Sequence, residues 1–401
     1  MMDVYCLAVQ SKSSFGEFFR REQGVSFSKL TYNPANKWGR RELLGLAVLP
    51  QRVRHLPVLS PFVIPWDQQR SIEITNFLKG PDGDYHSRSE HCLVRDPTIG
   101  HSLGQTWAAL ARFTVHEASG RETDDSDVEI EPRQKRPRRD NVQENYVKSD
   151  TMQVGSSSPL ADGSQETSSS VGYVDRDSHY AWPHTENETL RFFSCLTRHI
   201  LDYAAPQEDP IVNPVVELCD YVFRMKALTP ILKREVSATA DRGGLVLKEN
   251  FDRGFVQTKK YVMIAEGKSE FQCIENGQPF LSDDCLGQMT CQALAARLCD
   301  LSEGGEELRD GSVIIAHPTR QYVCFLQFDI SEEYLNNFET NFGDDVNPKP
   351  YTFMPVYISQ WMDMTEESAR KSYVETMSGL IARAAQNKLA VDDDDIGSCR
   401  R

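Results

Sequence analysis

The chain has 401 residues, a hydrophobic content of 39% and a formal net charge of −15 at pH 7. This length suits two or three domains, and the acidic balance counts against a protein that coats nucleic acid by charge alone, though not against a nuclease whose carboxylates hold metal ions. No apolar run reaches about 18 residues and the start lacks a signal-like segment, so we expect no membrane span and an intracellular protein.

Residues 1–118 form an N-terminal region of unknown fold. Ser71 to Thr75 alternates polar and apolar residues as a short strand does, whereas Gln105 to Phe113 fits a helix or a strand equally well. Because no chemical signature stands here, the expected role of this region is contact with a protein partner.

Residues 119–186 differ in composition from both flanks. An acidic run, a basic run and serine-rich segments follow one another with few large apolar residues, so a disordered linker is predicted. We interpret its basic cluster as a nuclear import signal bound by an import carrier, which places the protein in the nucleus rather than the cytoplasm. A charge-balanced segment without a specific role is the alternative. The cluster consists of Arg133, Lys135, Arg136, Arg138 and Arg139.

Residues 187–386 have the pattern of an α/β domain, and an acidic disordered tail is predicted for 387–401. A turn over 317–320 joins the strands predicted over 312–316 and 321–328. Ser282 is the expected N-cap of the helix predicted over 283–299. The ten cysteines include no C-x-x-C pair, which indicates reduced thiols rather than a zinc site. The predicted elements are helices over 188–204 and 215–225, strands over 243–247 and 256–266, a helix over 283–299, strands over 312–316 and 321–328, and a helix over 365–386.

The segment from Lys259 to Lys268 carries the most informative pattern. Side chains alternate along a strand, so Glu266 and Lys268 project to the same side where an apolar strand ends. Asp241 precedes Gly243-Gly244, from which a tight turn can aim its carboxylate at the same point. Two carboxylates suit Mg²⁺, and the lysine can orient a water and stabilise charge on a phosphate oxygen. A solvated ion pair at a strand end is the alternative.

Asp241 followed by Glu266-Gly267-Lys268 on a strand resembles the PD-(D/E)xK superfamily, the restriction-endonuclease-like nucleases, and is similar to its fungal members. That resemblance implies an αβββαβ core with a central mixed sheet flanked by helices. It also implies Asp241 and Glu266 as ligands of Mg²⁺ or Mn²⁺ and Lys268 as the catalytic lysine.

Other family positions have candidates with competing interpretations. Glu217, on the helix predicted over 215–225, takes the place of the family's helical acid and would be a third metal ligand, or else is an ordinary polar residue. Gln288 or Gln292 would be the glutamine that some branches carry on the next helix, or both are surface residues; the two share one helix face. Asp252 competes with Asp241 as metal ligand.

Two hypotheses follow for function. The resemblance implies a metal-dependent endo- or exonuclease that hydrolyses phosphodiester bonds of DNA or RNA. The alternative is a catalytically inactive nuclease fold that serves as an interaction module. His317 and Arg320, in the predicted turn, are candidate phosphate contacts or simply exposed loop residues. A phosphotransferase or NTPase is disfavoured because the chain has no phosphate-binding glycine-rich loop of the Walker type.

Overall fold

The computed structural model of the protein describes residues 4–114, 185–209, 211–240, 243–252, 254–275, 278–302, 311–342 and 352–398. The helices in these ranges are α1 (Tyr5–Ala8), α2 (Lys12–Arg21), α3 (Arg40–Gly45), α4 (Ile72–Lys79), α5 (Glu90–Arg95), α6 (His101–Thr114), α7 (Glu186–Tyr203), α8 (Asp283–Ser302), α9 (Glu332–Asn337) and α10 (Glu367–Ser398). The strands are β1 (Val48–Arg52), β2 (Val215–Cys219), β3 (Phe223–Leu228), β4 (Glu235–Ala240), β5 (Gly244–Phe251), β6 (Gly254–Ala265), β7 (Cys273–Glu275), β8 (Gln278–Phe280), β9 (Ser312–Thr319), β10 (Tyr322–Asp329), β11 (Met354–Ile358) and β12 (Met362–Asp363).

A mixed sheet forms the centre of the protein, which confirms the predicted α/β class. Its strand order is β1-β11-β10-β9-β6-β5-β2, and β12 pairs with β10. Strand β6 runs parallel to β9, and β1 runs parallel to β11, whereas β5 and β10 are antiparallel to their neighbours. The carboxyl ends of β1, β6, β9 and β11 therefore meet at one edge of the sheet, where ligands bind in many open α/β sheets.

Both faces of the sheet are covered by helices. On one face α8 lies between the sheet and the hairpin of β3 and β4, and it is buried around most of its circumference, as expected of a helix that is apolar on all sides. Helices α4, α6, α7 and α10 cover the other face. The cysteines of α8, at positions 285, 291 and 299, are buried as small apolar residues in this packing.

The N-terminal region packs against the later part of the described chain and contributes a strand to the central sheet. Strand β1 extends the central sheet beside β11. The carboxylate of Asp283 accepts hydrogen bonds from the backbone N–H of Tyr5 at 2.7 Å and from Nε of Arg40 at 2.6 Å. Such pairing depends on contacts between residues far apart in sequence, to which local hydrophobic periodicity is insensitive.

Three local predictions differ from the structure. Ser71 to Thr75 begins helix α4, and the Ser71 hydroxyl accepts from the backbone N–H of Ile74 as an N-cap. The helix predicted over 215–225 is instead β2 and β3, because its β-branched and aromatic residues favour strands and its apolar spacing fits either period. The last helix continues to Ser398 through the segment predicted as a disordered tail, since adding residues to an existing helix is easier than starting one.

The predicted linker falls almost wholly outside the described ranges. Residues 115–184, and with them the basic cluster at 133–139, are not described, so the import signal and its carrier stay predictions. Within the ranges given above, none of the helices combines the length and apolarity that a membrane-spanning helix requires.

Candidate active site

The site begins where β6 ends beside β9. The backbone N–H of Glu266 donates to Ala316 O at 2.9 Å, and that of Lys268 donates to Pro318 O at 3.0 Å, so the strand geometry continues past Ala265. Glu266 and Lys268 consequently share one face of the sheet, as predicted. Gly267 faces α7, where a Cβ would approach Cδ2 of Leu190 to 2.7 Å. A larger residue in the middle of the E-x-K sequence would require the Leu190 side chain to shift.

The carboxylate of Glu266 is almost fully enclosed, with 1% of the residue exposed. Oε1 accepts from Lys268 Nζ at 3.0 Å and from Gln288 Nε2 at 2.7 Å, and Oε2 accepts from Gln292 Nε2 at 2.6 Å. Gln288 and Gln292 lie one turn apart on α8, so both reach the same acid. Both are buried, and the interpretation of the pair as surface residues is wrong.

Lys268 is held as an ammonium by this acid. Burial by itself lowers the pKa of Lys268, but the charge of Glu266 and the hydrogen bond to it outweigh that effect, so the pKa of Lys268 is raised. A lysine that keeps its proton stabilises negative charge and orients a water rather than acting as a base. The alternative of a solvated pair at a strand end is excluded, because the side chains of Lys268 and Glu266 are only 12% and 1% exposed.

His317 belongs to this site, although its sequence position was interpreted as a turn. It lies in β9 with 3% exposure, and the true turn is Arg320-Gln321, where Arg320 has φ of +53°. Its Nδ1 is 2.7 Å from Glu266 O, and because a carbonyl only accepts, Nδ1 carries the proton. Ile315, two residues earlier in the strand, faces α8. Because side chains two residues apart in a strand share one face, this spacing would have placed His317 on the same face.

Cys285 and His317 form a close but unreactive pair. Sγ of Cys285 lies 3.4 Å from His317 Nε2, the nitrogen left to accept. Burial raises the pKa of the Cys285 thiol to about 12, against a partial lowering by the Lys268 charge. Since the thiolate is the nucleophilic form of cysteine, this thiol donates a hydrogen bond rather than attacking a substrate.

We expect the buried His317 to make folding sensitive to acid. Burial lowers the pKa of His317 from 6.5 to about 4. As the pH falls from 6.5 towards 4 the unfolded chain binds a proton that the folded chain does not, so stability decreases by on the order of 3 kcal/mol. Urea denaturation across this window should show a shallower pH dependence for His317→Asn than for the unmodified protein. His199 is also buried, with its pKa lowered to about 4 by burial, and remains in the variant as an internal reference. Identical slopes for both proteins would contradict the assignment.

The predicted metal ligands are not all brought together. Glu217 lies on β2 and is 2.6 Å from Lys248 Nζ, so it is neither on a helix nor available as the family's helical acid. Asp252 is exposed in the turn between β5 and β6, at the end of β6 that is remote from Glu266. The two residues are on the order of 40 Å apart along the strand. Asp252 therefore does not compete with Asp241 as a metal ligand beside Glu266. Asp241 lies outside the described residues.

Access to Lys268 is narrow. The pocket beside it has a volume of about 10 Å³, close to the minimum for one water. Phe271 packs against the rings of Tyr322 and Trp361 along its wall. Within the ranges that the structure covers, no group of three or more histidine, cysteine, aspartate or glutamate residues is arranged to hold a metal ion. A cation would thus need Glu266 together with other oxygen donors.

Comparisons with known proteins leave the family open. No protein-family model matches the chain, and no curated protein sequence is significantly similar to it.

Proposed function

We propose that the protein is a Mg²⁺-dependent nuclease that hydrolyses phosphodiester bonds of nucleic acid. One observation carries the proposal: Lys268 Nζ and Gln288 Nε2 contact the same oxygen of Glu266 at the carboxyl end of a central strand. It costs free energy to bury an acid, a cation and an amide together at that edge. The cost is offset only if these groups bind a ligand or pair with one another.

The order of elements supports a restriction-endonuclease-like core. The chain has the element order αβββαβ, formed by α7, β2, β5, β6, α8 and β9. The β3–β4 and β7–β8 hairpins are inserted in this order. The first three of these strands are antiparallel neighbours, and the third pairs in parallel with the fourth. The E-x-K sequence closes the third strand and the glutamines lie on the following helix, as the resemblance implies.

The donor set suits a hard divalent cation. Glu266 supplies carboxylate oxygens, and the buried Oε1 of Gln292 has no hydrogen-bond partner. Asp241 precedes Gly243 by two residues in the sequence. Gly243 O accepts from the N–H of Ala265, the residue next to Glu266. Carboxylate and amide oxygens are ligands that Mg²⁺ accepts, and Mn²⁺ accepts the same donors.

Each residue has a distinct task in this proposal. Bound Mg²⁺ would lower the pKa of a water and offset charge on the phosphate. Lys268 would orient that water and stabilise the charge that builds on a phosphate oxygen. Gln288 would hold the Glu266 carboxylate in one orientation, and His317 Nδ1–H, by donating to Glu266 O, would fix the backbone of the same residue.

Cleavage of labelled DNA and RNA with and without Mg²⁺ tests the proposal. We expect cleavage that chelation abolishes and that Glu266→Gln lowers roughly 100-fold or more, since the variant loses the negative charge that holds the cation. Asp252→Asn, at the remote turn, is the matched carboxylate-to-amide control and should retain activity. Metal-independent cleavage, or full activity in Glu266→Gln, would refute the assignment.

A second candidate is a nuclease fold that binds without cleaving. The observation favouring it is the enclosure of Glu266 by three donors beside a pocket of only about 10 Å³. Retained nucleic-acid binding by a protein that cleaves neither DNA nor RNA with Mg²⁺ or Mn²⁺ would select this function.

A further inference from the structure

A second cavity, of about 330 Å³, lies at the same edge of the sheet as Lys268. It opens beside the last residues of the parallel strands β1 and β11, Arg52 and Ile358, which pair with each other. Among the described residues, the lining contains one cation and no acid, in a chain whose net charge is −15. The cavity is lined by Cys6, Arg52, Gln278, Pro279, Leu281, Ile358, Ser359, Gln360 and Trp361.

Arg52 is an exposed residue that stacks on the ring of Phe280. Its guanidinium carbon lies 4.1 Å from the centre of the Phe280 ring, a stacking arrangement that leaves the edge of the guanidinium free to donate. Among the side chains that the structure describes, no carboxylate forms an ion pair with Arg52. Its charge partly offsets the effect of burial on the pKa of Cys6, which burial raises to about 12, so its field reaches into the cavity.

The cavity adjoins the pocket beside Lys268. Leu281 and Trp361 line both, and Phe280, on which Arg52 stacks, lines the Lys268 pocket. Four strand spacings, from β6 through β9, β10 and β11 to β1, separate the two strands that carry the cations. At about 4.8 Å per spacing, the backbones of these two strands are about 19 Å apart.

We propose that Arg52 and this cavity bind a backbone phosphate of a nucleic-acid strand whose cleaved phosphate lies at Lys268. The inference rests on the proposed function and adds a subsite to it, supplied by the N-terminal part of the chain. A guanidinium matches a phosphate with two parallel hydrogen bonds, and the amides of Gln278 and Gln360 add neutral donors to the same cavity. A substrate must extend beyond the cleaved bond along the edge of the sheet to reach it.

Arg52→Met tests the subsite, with Arg54→Met as the control because Arg54 is an exposed arginine two residues away that does not line the cavity. The assay is the binding of labelled DNA and RNA, measured by fluorescence anisotropy in EDTA. Oligonucleotides of roughly 20 nucleotides are long enough to contact both Arg52 and Lys268. We expect Arg52→Met to weaken binding of the preferred nucleic acid about tenfold. The slope of log binding constant against log salt concentration should become shallower by about 1, because one phosphate contact is lost. Arg52→Lys, which keeps the charge and loses the paired donors, should fall between the two proteins.

Hydrolysis of bis(4-nitrophenyl) phosphate separates this inference from the proposed function, because so small a phosphodiester reaches only the Lys268 centre. Arg52→Met should hydrolyse it at the unmodified rate, and circular dichroism should show an unchanged fold. Arg52-dependent binding by a protein that cleaves nothing would refute the nuclease and leave the subsite standing. If the protein binds neither DNA nor RNA, the subsite is refuted. Equal affinity of Arg52→Met and Arg54→Met for the nucleic acid would refute it as well.

Discussion

Replacing Lys268 with methionine is expected to lower Mg²⁺-dependent cleavage roughly 100- to 1,000-fold, the range found when one preorganised donor to a transition-state oxygen is removed. Methionine keeps most of the apolar stem of lysine and removes only its charge and donors. The ammonium is 3.0 Å from Glu266 Oε1 and its pKa is raised, so at neutral pH it supplies a positive charge beside the proposed metal site.

The kinetic form of this loss distinguishes catalysis from substrate binding. If Lys268 acts in the transition state, kcat falls while KM for a short phosphodiester changes little. Lys248→Met is the matched control, because Lys248 also pairs with a glutamate at 2.6 Å but on β5, away from the site. Loss of kcat in both variants, or in neither, would show that Lys268 has no special role. Thermal unfolding should confirm that both variants remain folded.

The second large effect is on stability, at Arg370 of α10. Its buried guanidinium donates to the carbonyls of Leu78 and Lys79 at the end of α4, and to those of Met364 and Thr365 just before α10, at 2.8 to 3.3 Å. A cation at a helix C-terminus also interacts favourably with the helix dipole. One side chain thus joins the N-terminal part of the chain to the last helix.

Arg370→Met is expected to lower the free energy of unfolding by on the order of 3 kcal/mol, because it leaves buried carbonyls without donors. The neighbouring Lys371→Met is the control. Lys371 makes a partly exposed pair with Glu367 one turn away and lies over the Trp66 ring, so its loss should be under about 1 kcal/mol.

Denaturant unfolding of the two variants measures the difference. A single transition shifted in Arg370→Met, followed both by far-ultraviolet circular dichroism and by tryptophan fluorescence, would show that residues 4–114 unfold with the rest of the domain. Equal stability of the two variants, or an early separate transition, would contradict the single-domain fold.

Local pattern was enough for the elements that hold the E-x-K sequence. The apolar run ending at Glu266 and the helix capped by Ser282 are both decided by short-range periodicity and capping, and both are confirmed as β6 and α8, with Cys285 N–H donating to the Ser282 hydroxyl at 3.1 Å. The alternation of side chains then placed Glu266 and Lys268 on one face.

Features that depend on long-range contacts could not be predicted this way. The pairing of β1 with β11 joins residues about 300 positions apart, and Arg52 has no local signature that marks it as part of a site. Glu217 was misplaced because the apolar spacing over 215–225 fits a helix as well as two strands. His317 was assigned to a turn because a proline follows it, yet β9 continues through Pro318 to Thr319.

The central claim is that Asp241 and Glu266 share a divalent cation. Titration of Mn²⁺ into the purified protein, followed by electron paramagnetic resonance, measures this directly for the unmodified chain, Asp241→Asn, Glu266→Gln and the control Asp252→Asn. We expect one saturable site in the unmodified protein and in Asp252→Asn, with affinity at least about tenfold weaker in each of the other two. Unchanged Mn²⁺ binding in Asp241→Asn or Glu266→Gln, or loss of the site in Asp252→Asn, would contradict the claim.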